Sequence, residues 1–184
     1  MKPEFGKKDY LDIYKLTNED SPLEIDCGKK CGSICCKVEN DYGIYLLPGE
    51  HLVFKKNEPW FKWNTQSADD QGFPDSWIGP VYFLNCKGYC NRDYRPMQCR
   101  TYPVAPHICP NGKFILIIET LETTYTCPLI EQKDYHSSFS KEWLHNLYLA
   151  WGKLLNDPLI YDLIIMDSEA RIKEKKEIII AYGN

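Results

Sequence analysis

Apolar and polar positions follow their clearest helical rhythm from Ser140 onward. In SKEWLHNLYLAWGKLLN, Trp143, Leu144, Leu147, Trp151, Leu154 and Leu155 recur every three or four residues, with Lys141, Glu142, Asn146 and Lys153 on the other side. That spacing predicts an amphipathic helix. Asp157-Pro158 then supplies an N-cap and first-turn pair for a second helix. It is expected to run through the charged DSEARIKEKKE to about Ala181, before Gly183. Basic residues near its end suit the helix dipole, so the charge run reads as a solvated face rather than a binding patch.

Strand patterning is shorter. Lys113–Glu119 is β-branched and apolar after an Asn-Gly turn, with Thr123–Thr126 as its expected hairpin partner. Gly43 to Leu47 predicts a short strand, Pro48 the first position of a following helix, and Glu50 a favourable charge in its first turn. Between residues 57 and 85, Trp60, Phe61, Trp63, Phe73, Trp77 and Phe83 are mixed with Gly, Pro, Asn and Asp without sustained period. This predicts an irregular loop that buries its aromatics. Weak periodicity before residue 27, ending in the turn-rich NEDSPLE, predicts a loose arm. The resulting division is an arm over 1–26, a cysteine-cluster domain over 27–136 and a helical segment over 137–184.

Composition adds bounds. The chain has 184 residues, 43% of them hydrophobic and 26% charged, which suits one domain with a real core. A formal net charge of -4 gives no electrostatic reason to expect nucleic acid or anionic membrane as a partner. MKPEFGKKDYLDIYKL lacks the apolar run of a secretion signal, and no stretch is apolar enough to cross a bilayer. The expectation is a soluble cytoplasmic protein.

Nine cysteines change the picture. Their number is odd, and a reducing compartment does not preserve disulfides, so metal ligands or catalytic thiols are expected instead. One cluster holds Cys27, Cys31, Cys35 and Cys36; a second holds Cys86, Cys90 and Cys99; Cys109 and Cys127 follow, each before a proline. Short spacings let one loop present several thiolates to a cation, and a distant set completes the coordination. Iron–sulfur clusters use the same ligands. Neighbouring side chains of an extended segment point apart, so adjacent Cys35 and Cys36 are expected to serve two different sites, or one to stay a buried thiol. A vicinal disulfide would need a distorted peptide. Lys29, Lys30, Lys37, Arg92, Arg95 and Arg100 thread between the thiols. Arg95 and Arg100 are the ones best placed to offset thiolate charge.

The segments CGKKCGSICC, RPMQCRTYP and TCPL resemble the CxxCxxCC, or YkgJ-like, family of zinc- or iron-chelating proteins. Its hallmarks are a dense cluster ending in two adjacent cysteines, then Arg-Pro-x-x-Cys-Arg-x-aromatic, here Arg95, Pro96, Cys99, Arg100 and Tyr102. The likeness spans about residues 27 to 128. Three residues rather than two separate Cys27 from Cys31 and Cys31 from Cys35, which leaves the ligand register open. The resemblance implies Cys27, Cys31, Cys35, Cys36, Cys86, Cys90, Cys99 and Cys127 as ligands, with Cys109 as the spare. Some relatives resemble flagellin lysine N-methylase, which keeps a methyl-transfer metalloenzyme as an alternative.

Other chemistries fit less well. Cys27, Cys31 and Cys35 miss the radical-SAM spacing of Cys-x3-Cys-x2-Cys by one residue. His51, His107, His136 and His145 offer a Cys–His nucleophile pair, though a lone histidine is more often a packing or surface residue. Neither a phosphate-cradling glycine loop nor His-Glu-x-x-His occurs. Glu50 could act as acid or base near the site. The expected fold is therefore α+β: a small, irregular, metal-organised cysteine core with a short β-hairpin, packed against C-terminal helices. The expected function is binding of an iron–sulfur cluster or zinc, with crowded thiols and nearby cations favouring the cluster. An interaction module with purely structural zinc is a further alternative.

Overall fold

The computed structural model describes residues 3–17, 21–23, 25–36, 42–88, 92–122, 125, 127–131 and 139–183. The fold is α+β. Its first half contains α1 (Lys7–Thr17), α2 (Gly28–Cys31), β1 (Gly43–Leu46), β2 (Asn57–Glu58), β3 (Phe61–Ser67) and β4 (Pro80–Cys86). Then come α3 (Met97–Thr101), β5 (Val104–Ile108), β6 (Phe114–Ile118), α4 (Pro128–Glu131), α5 (Lys141–Leu154), α6 (Pro158–Lys173) and β7 (Ile180–Tyr182).

The strands form two antiparallel sheets, ordered β1-β4-β3-β2 and β5-β6-β7. The stretch expected to be an irregular loop holds the centre of the first sheet. β3 pairs with β4 from Phe61↔Cys86 to Ser67↔Pro80. Phe61, Val81 and Leu84 face the core. The polar Lys62, Asn64 and Thr65 hide the two-residue period of β3. The expected burial of the aromatics is met only by Phe61 and Trp77; Trp60, Trp63, Phe73 and Phe83 are half-buried. Trp77 is buried and donates from Nε1 to the Leu159 carbonyl at 2.6 Å, tying the β3–β4 connection to α6. Gly43 is required where β1 meets β4, because a Cβ there would run into the Leu84 carbonyl oxygen and the Phe83 ring.

The second sheet confirms the strand after Asn111-Gly112 and corrects its partner. β6 lies between β5 and β7. Thr123, Thr124 and Thr126 lie outside the described residues. β7 also corrects the last helix, which ends at Lys173 rather than near Ala181. The β-branched Ile178–Ile180 run favours strand, and Ile180 pairs with Ile117.

Helices cover these sheets. The arm expected to be loose contains α1, which buries Tyr10, Ile13 and Tyr14 at helical spacing and packs on α5. α5 buries Trp143, Leu144, Leu147, Trp151 and Leu154, and the Ser140 hydroxyl accepts from the Trp143 N–H at 3.2 Å. Asp157 caps α6 by accepting from the Leu159 N–H at 2.8 Å, and its other oxygen accepts from Glu4 N–H at 2.8 Å. One apolar core runs from Tyr10 through both sheets to Ile164.

Glu50 joins three of these parts. It opens a short 3-10 turn, Glu50–Val53, not a helix starting at Pro48. Its carboxylate is fully buried. It accepts from the Tyr14 hydroxyl at 2.5 Å, the Met97 N–H at 2.7 Å and the Leu47 N–H at 3.0 Å. It therefore fixes α1, the end of β1 and the start of α3 together. Its role is architectural: it is absent from the cavity described below.

Candidate metal centre

The thiols are positioned by short, tightly turned segments. Cys27 caps α2 and Cys31 ends it, and a four-residue separation places both on one helix face. Gly32 and Ser33 then take left-handed conformations, with φ of 65° and 60°. The Ser33 N–H returns to the Gly28 carbonyl at 2.9 Å. This reversal swings the next turn, Ile34–Cys36, back beside α2. Cys86 ends β4, where its N–H bonds the Tyr42 carbonyl at 2.9 Å. Cys99 lies within α3 and Cys127 immediately precedes α4.

Cys27, Cys31, Cys35, Cys36, Cys86, Cys99 and Cys127 all line one cavity of about 480 Å³. Cys90 lies outside the described residues. Cys109 does not line the cavity; it sits in the β5–β6 turn, accepting from Gly112 N–H at 2.8 Å, against Ala105, Ile115 and Ile117. All eight described cysteines are free thiols. Among the described residues, no three His, Cys, Asp or Glu side chains are gathered into a metal-holding group.

The adjacent pair differs from its expectation. Cys35 and Cys36 lie in a 3-10 turn rather than an extended segment, and their sulfurs are 4.0 Å apart. Two sulfurs on a tetrahedral ion with bonds of about 2.3 Å are separated by about 3.8 Å. The pair can therefore serve one ion. A vicinal disulfide is absent.

The thiols' electrostatic surroundings differ. Burial pushes the Cys27 thiol up, the Arg95 guanidinium pulls it back, and Asp26, Cys31 and Cys127 add to the rise. Burial likewise raises Cys127, against hydrogen bonds from the Leu129 and Ile130 backbone and from Tyr102. Cys27, Cys31 and Cys127 are thus mutual neighbours. Cys99, Cys35 and Cys86 instead all act on Tyr42. That phenol packs 5.7 Å from the Tyr125 ring, which is 5.5 Å from Tyr102. A tyrosine layer thus adjoins both thiol groups.

The two singled-out arginines part company. Arg95 acts on Cys27. Arg100 is buried and donates from Nε to the Arg95 carbonyl at 2.7 Å and from Nη2 to the Asp93 carbonyl at 3.0 Å. Its guanidinium lies 4.1 Å from the Tyr14 ring centroid; burial raises both Tyr14 and Glu50, and Arg100 opposes the rise. It holds the loop carrying Arg95 and faces the Glu50 network. None of the described histidines, His51, His107 and His145, lines the cavity; His136 lies outside the described residues. His51 stacks on Tyr82 at 3.6 Å, and His145 Nδ1 is hydrogen-bonded to the Tyr182 hydroxyl at 2.9 Å.

Sequence reasoning missed the cavity's other wall. Ile164, Asp167 and Arg171 from α6, Glu119 after β6, and Trp151 from α5 all line it. Arg171, only 1% exposed, bonds Glu119 through Nη2 at 2.9 and 3.1 Å and through Nε at 3.3 Å. Its Nη1 is buried without a hydrogen-bond partner. Asp167 makes no hydrogen bond or ion pair with a described residue. Burial lifts its carboxyl to about 6, Arg171 opposes the rise and Glu119 adds to it. The signal in the sequence was an Asp and an Arg four residues apart on a face otherwise carrying Leu163 and Ile164.

A carboxyl raised on folding holds its proton more firmly in the folded state, so its contribution to stability falls as pH rises through the folded value. Asp167→Asn is therefore expected to stabilise the protein at pH 8, with no gain near pH 4. The gain at pH 8 is on the order of 2 kcal/mol, or about 4–8 °C in melting midpoint. Midpoints measured across this range check it; an equal gain at both ends would contradict the assignment.

No protein-family model, curated protein or solved structure matches the chain. Among the described residues, no helix is long and apolar enough to cross a membrane.

Proposed function

We propose that this chain is a cysteine-ligated metal-binding protein of the type that the CxxCxxCC resemblance implies, working in the reducing cytoplasm. One observation carries the reading: seven of the eight candidate ligands, drawn from segments a hundred residues apart, line a single cavity while the spare Cys109 stands outside it. The donor set fits a thiophilic metal, being soft sulfur throughout. Arg95 offsets part of the charge that ionised thiols would bring. Cys27, Cys31 and Cys127 would form one ligand group; Cys35, Cys36, Cys86 and Cys99 would form the other. An iron–sulfur cluster is the favoured occupant and would supply electron transfer or a Lewis-acidic iron; zinc is the alternative.

The test is metal analysis of anaerobically purified protein. The expected preparation is brown, bleaches on reduction, and contains iron and acid-labile sulfide. Stoichiometric zinc without sulfide would replace the cluster with zinc, and absence of both metals would overturn the reading. Cys36→Ser and Cys99→Ser are expected to lose at least half of the bound metal, whereas Cys109→Ser keeps the wild-type content. Equal losses in all three variants would refute the ligand assignment.

A further inference from the structure

The cavity is larger and more varied than a thiolate site requires. It reaches from the exposed Lys30, Ile34 and Tyr94 to the buried Trp151, Ile164 and Arg171. Its roughly 480 Å³ falls in the range of small-molecule sites, which are mainly apolar and aromatic with a few fixed polar groups. Val104, Pro106, Ile164 and Trp151, on β5, α5 and α6, supply such a surface.

The charge balance of this wall identifies the missing partner. Glu119 and Arg171 satisfy each other through three hydrogen bonds, and Glu119 Oε1 also accepts from the Thr120 and Leu121 N–H groups. Asp167 lies on the same helix face and lines the same cavity, makes no hydrogen bond with a described residue, and feels Arg171 only as a nearby charge. A half-buried carboxylate whose charge is only partly offset favours any ligand that brings a counter-charge. Arg171 fills that role only in part, because its Nε and Nη2 are turned to Glu119 and it makes no hydrogen bond to Asp167.

We infer that the thiol-lined cavity is also an organic-ligand site, taking a small, largely apolar or aromatic molecule that ends in a protonated amine, with the ammonium group on Asp167. The apolar body lies along Val104, Leu129, Ile164 and Trp151. Asp167, Val104, Ile164 and Trp151 come from β5, α5 and α6, which carry no candidate ligand, so this part of the site does not depend on which metal the thiols hold.

The test uses 4-phenylbutylamine, 4-phenylbutanol and 4-phenylbutyrate as probes of one shape and different charge. Calorimetry and ligand-observed NMR on the protein as purified, at pH 7.5, measure each affinity. The amine is expected to bind saturably and at least tenfold more tightly than the alcohol, with the carboxylate weakest. Asp167→Asn, which keeps the side chain's shape, is expected to weaken the amine at least tenfold and leave the alcohol within twofold. No saturable amine binding, or equal amine affinity in Asp167→Asn, would overturn the inference. So would amine binding that survives the substitution and shifts the visible spectrum, since the amine would then be ligating a metal. A melting midpoint of Asp167→Asn at or above wild type establishes that the variant is folded. Should it melt lower, Asp167→Ser at the same wall is read by the same amine-to-alcohol ratio.

Discussion

Replacing Glu50 with alanine is expected to lower the unfolding free energy by about 3–5 kcal/mol, since three buried donors lose their acceptor at about 1–3 kcal/mol each. Those donors are the Tyr14 hydroxyl and the Leu47 and Met97 N–H groups, and water cannot readily replace the carboxylate at a fully buried position. Arg100, buried over the Tyr14 ring, would lose the nearby negative charge as well. A loss of this size is a large share of ordinary domain stability. Urea titration should show a lower midpoint with an unchanged slope. Glu50→Gln keeps the volume and one acceptor oxygen, so its loss should be smaller. A change below about 1 kcal/mol in the alanine variant would show that the α1–α3 junction is held by apolar packing alone, a contribution the hydrogen-bond magnitudes do not anticipate.

The Glu50 network also bears on the cysteine site. Met97 opens α3, the helix that carries Cys99 and Arg100. Loosening that helix would displace a candidate ligand and the loop bearing Arg95 without touching either directly. Metal loss in a Glu50 variant would thus be a consequence of fold.

Legibility in the sequence followed the strength of local signals. α5 was readable because six large apolar residues repeat along one face and Ser140 caps it. The start of α6 was readable from Asp157-Pro158. Its end was not, because charged residues from Asp167 to Lys176 keep helix propensity while the strand pairing of Ile180 with Ile117 is decided far away in sequence. β3 was missed for a related reason: only Phe61 along it is buried, and the hydrogen bonds to β4 that define it are non-local. α1 was missed because Lys, Asp and Tyr dilute a short buried stripe.

The cysteine site divided in the same way. Thiols can be counted in any conformation, so their candidacy was legible; Cys109 was set aside only by the family resemblance, and the structure places it outside the cavity. The turn that brings Cys35 and Cys36 sulfurs to 4.0 Å was not, since it depends on consecutive left-handed backbone at Gly32 and Ser33. Asp167 was unrecognised because an acidic residue in a charged run looks solvated until α6 is packed against β5.

Stripping the proposed metal with a chelator is expected to release residues 25–36 selectively, while the two sheets and α5 persist. A core organised wholly by metal, as the sequence suggested, would unfold more widely, across residues 27–128. The fold narrows that extent, because Leu46, Phe61, Leu84, Val104 and Leu116 belong to an apolar core that includes α1, α5 and α6. By contrast, α2 and the Ile34–Cys36 turn bury no side chain, and four-residue helices are unstable by themselves. For such segments the free energy of thiolate ligation is the free energy of folding, about 10 kcal/mol or more for a structural zinc site. Hydrogen exchange followed by mass spectrometry should therefore show at least a hundredfold faster exchange over 25–36 in the stripped protein, with little change over β3, β4 and α5. Unchanged exchange at 25–36 would mean that these turns hold without ligation. Loss of protection in the sheets as well would mean that the thiols, and not the apolar core, organise the centre of the molecule.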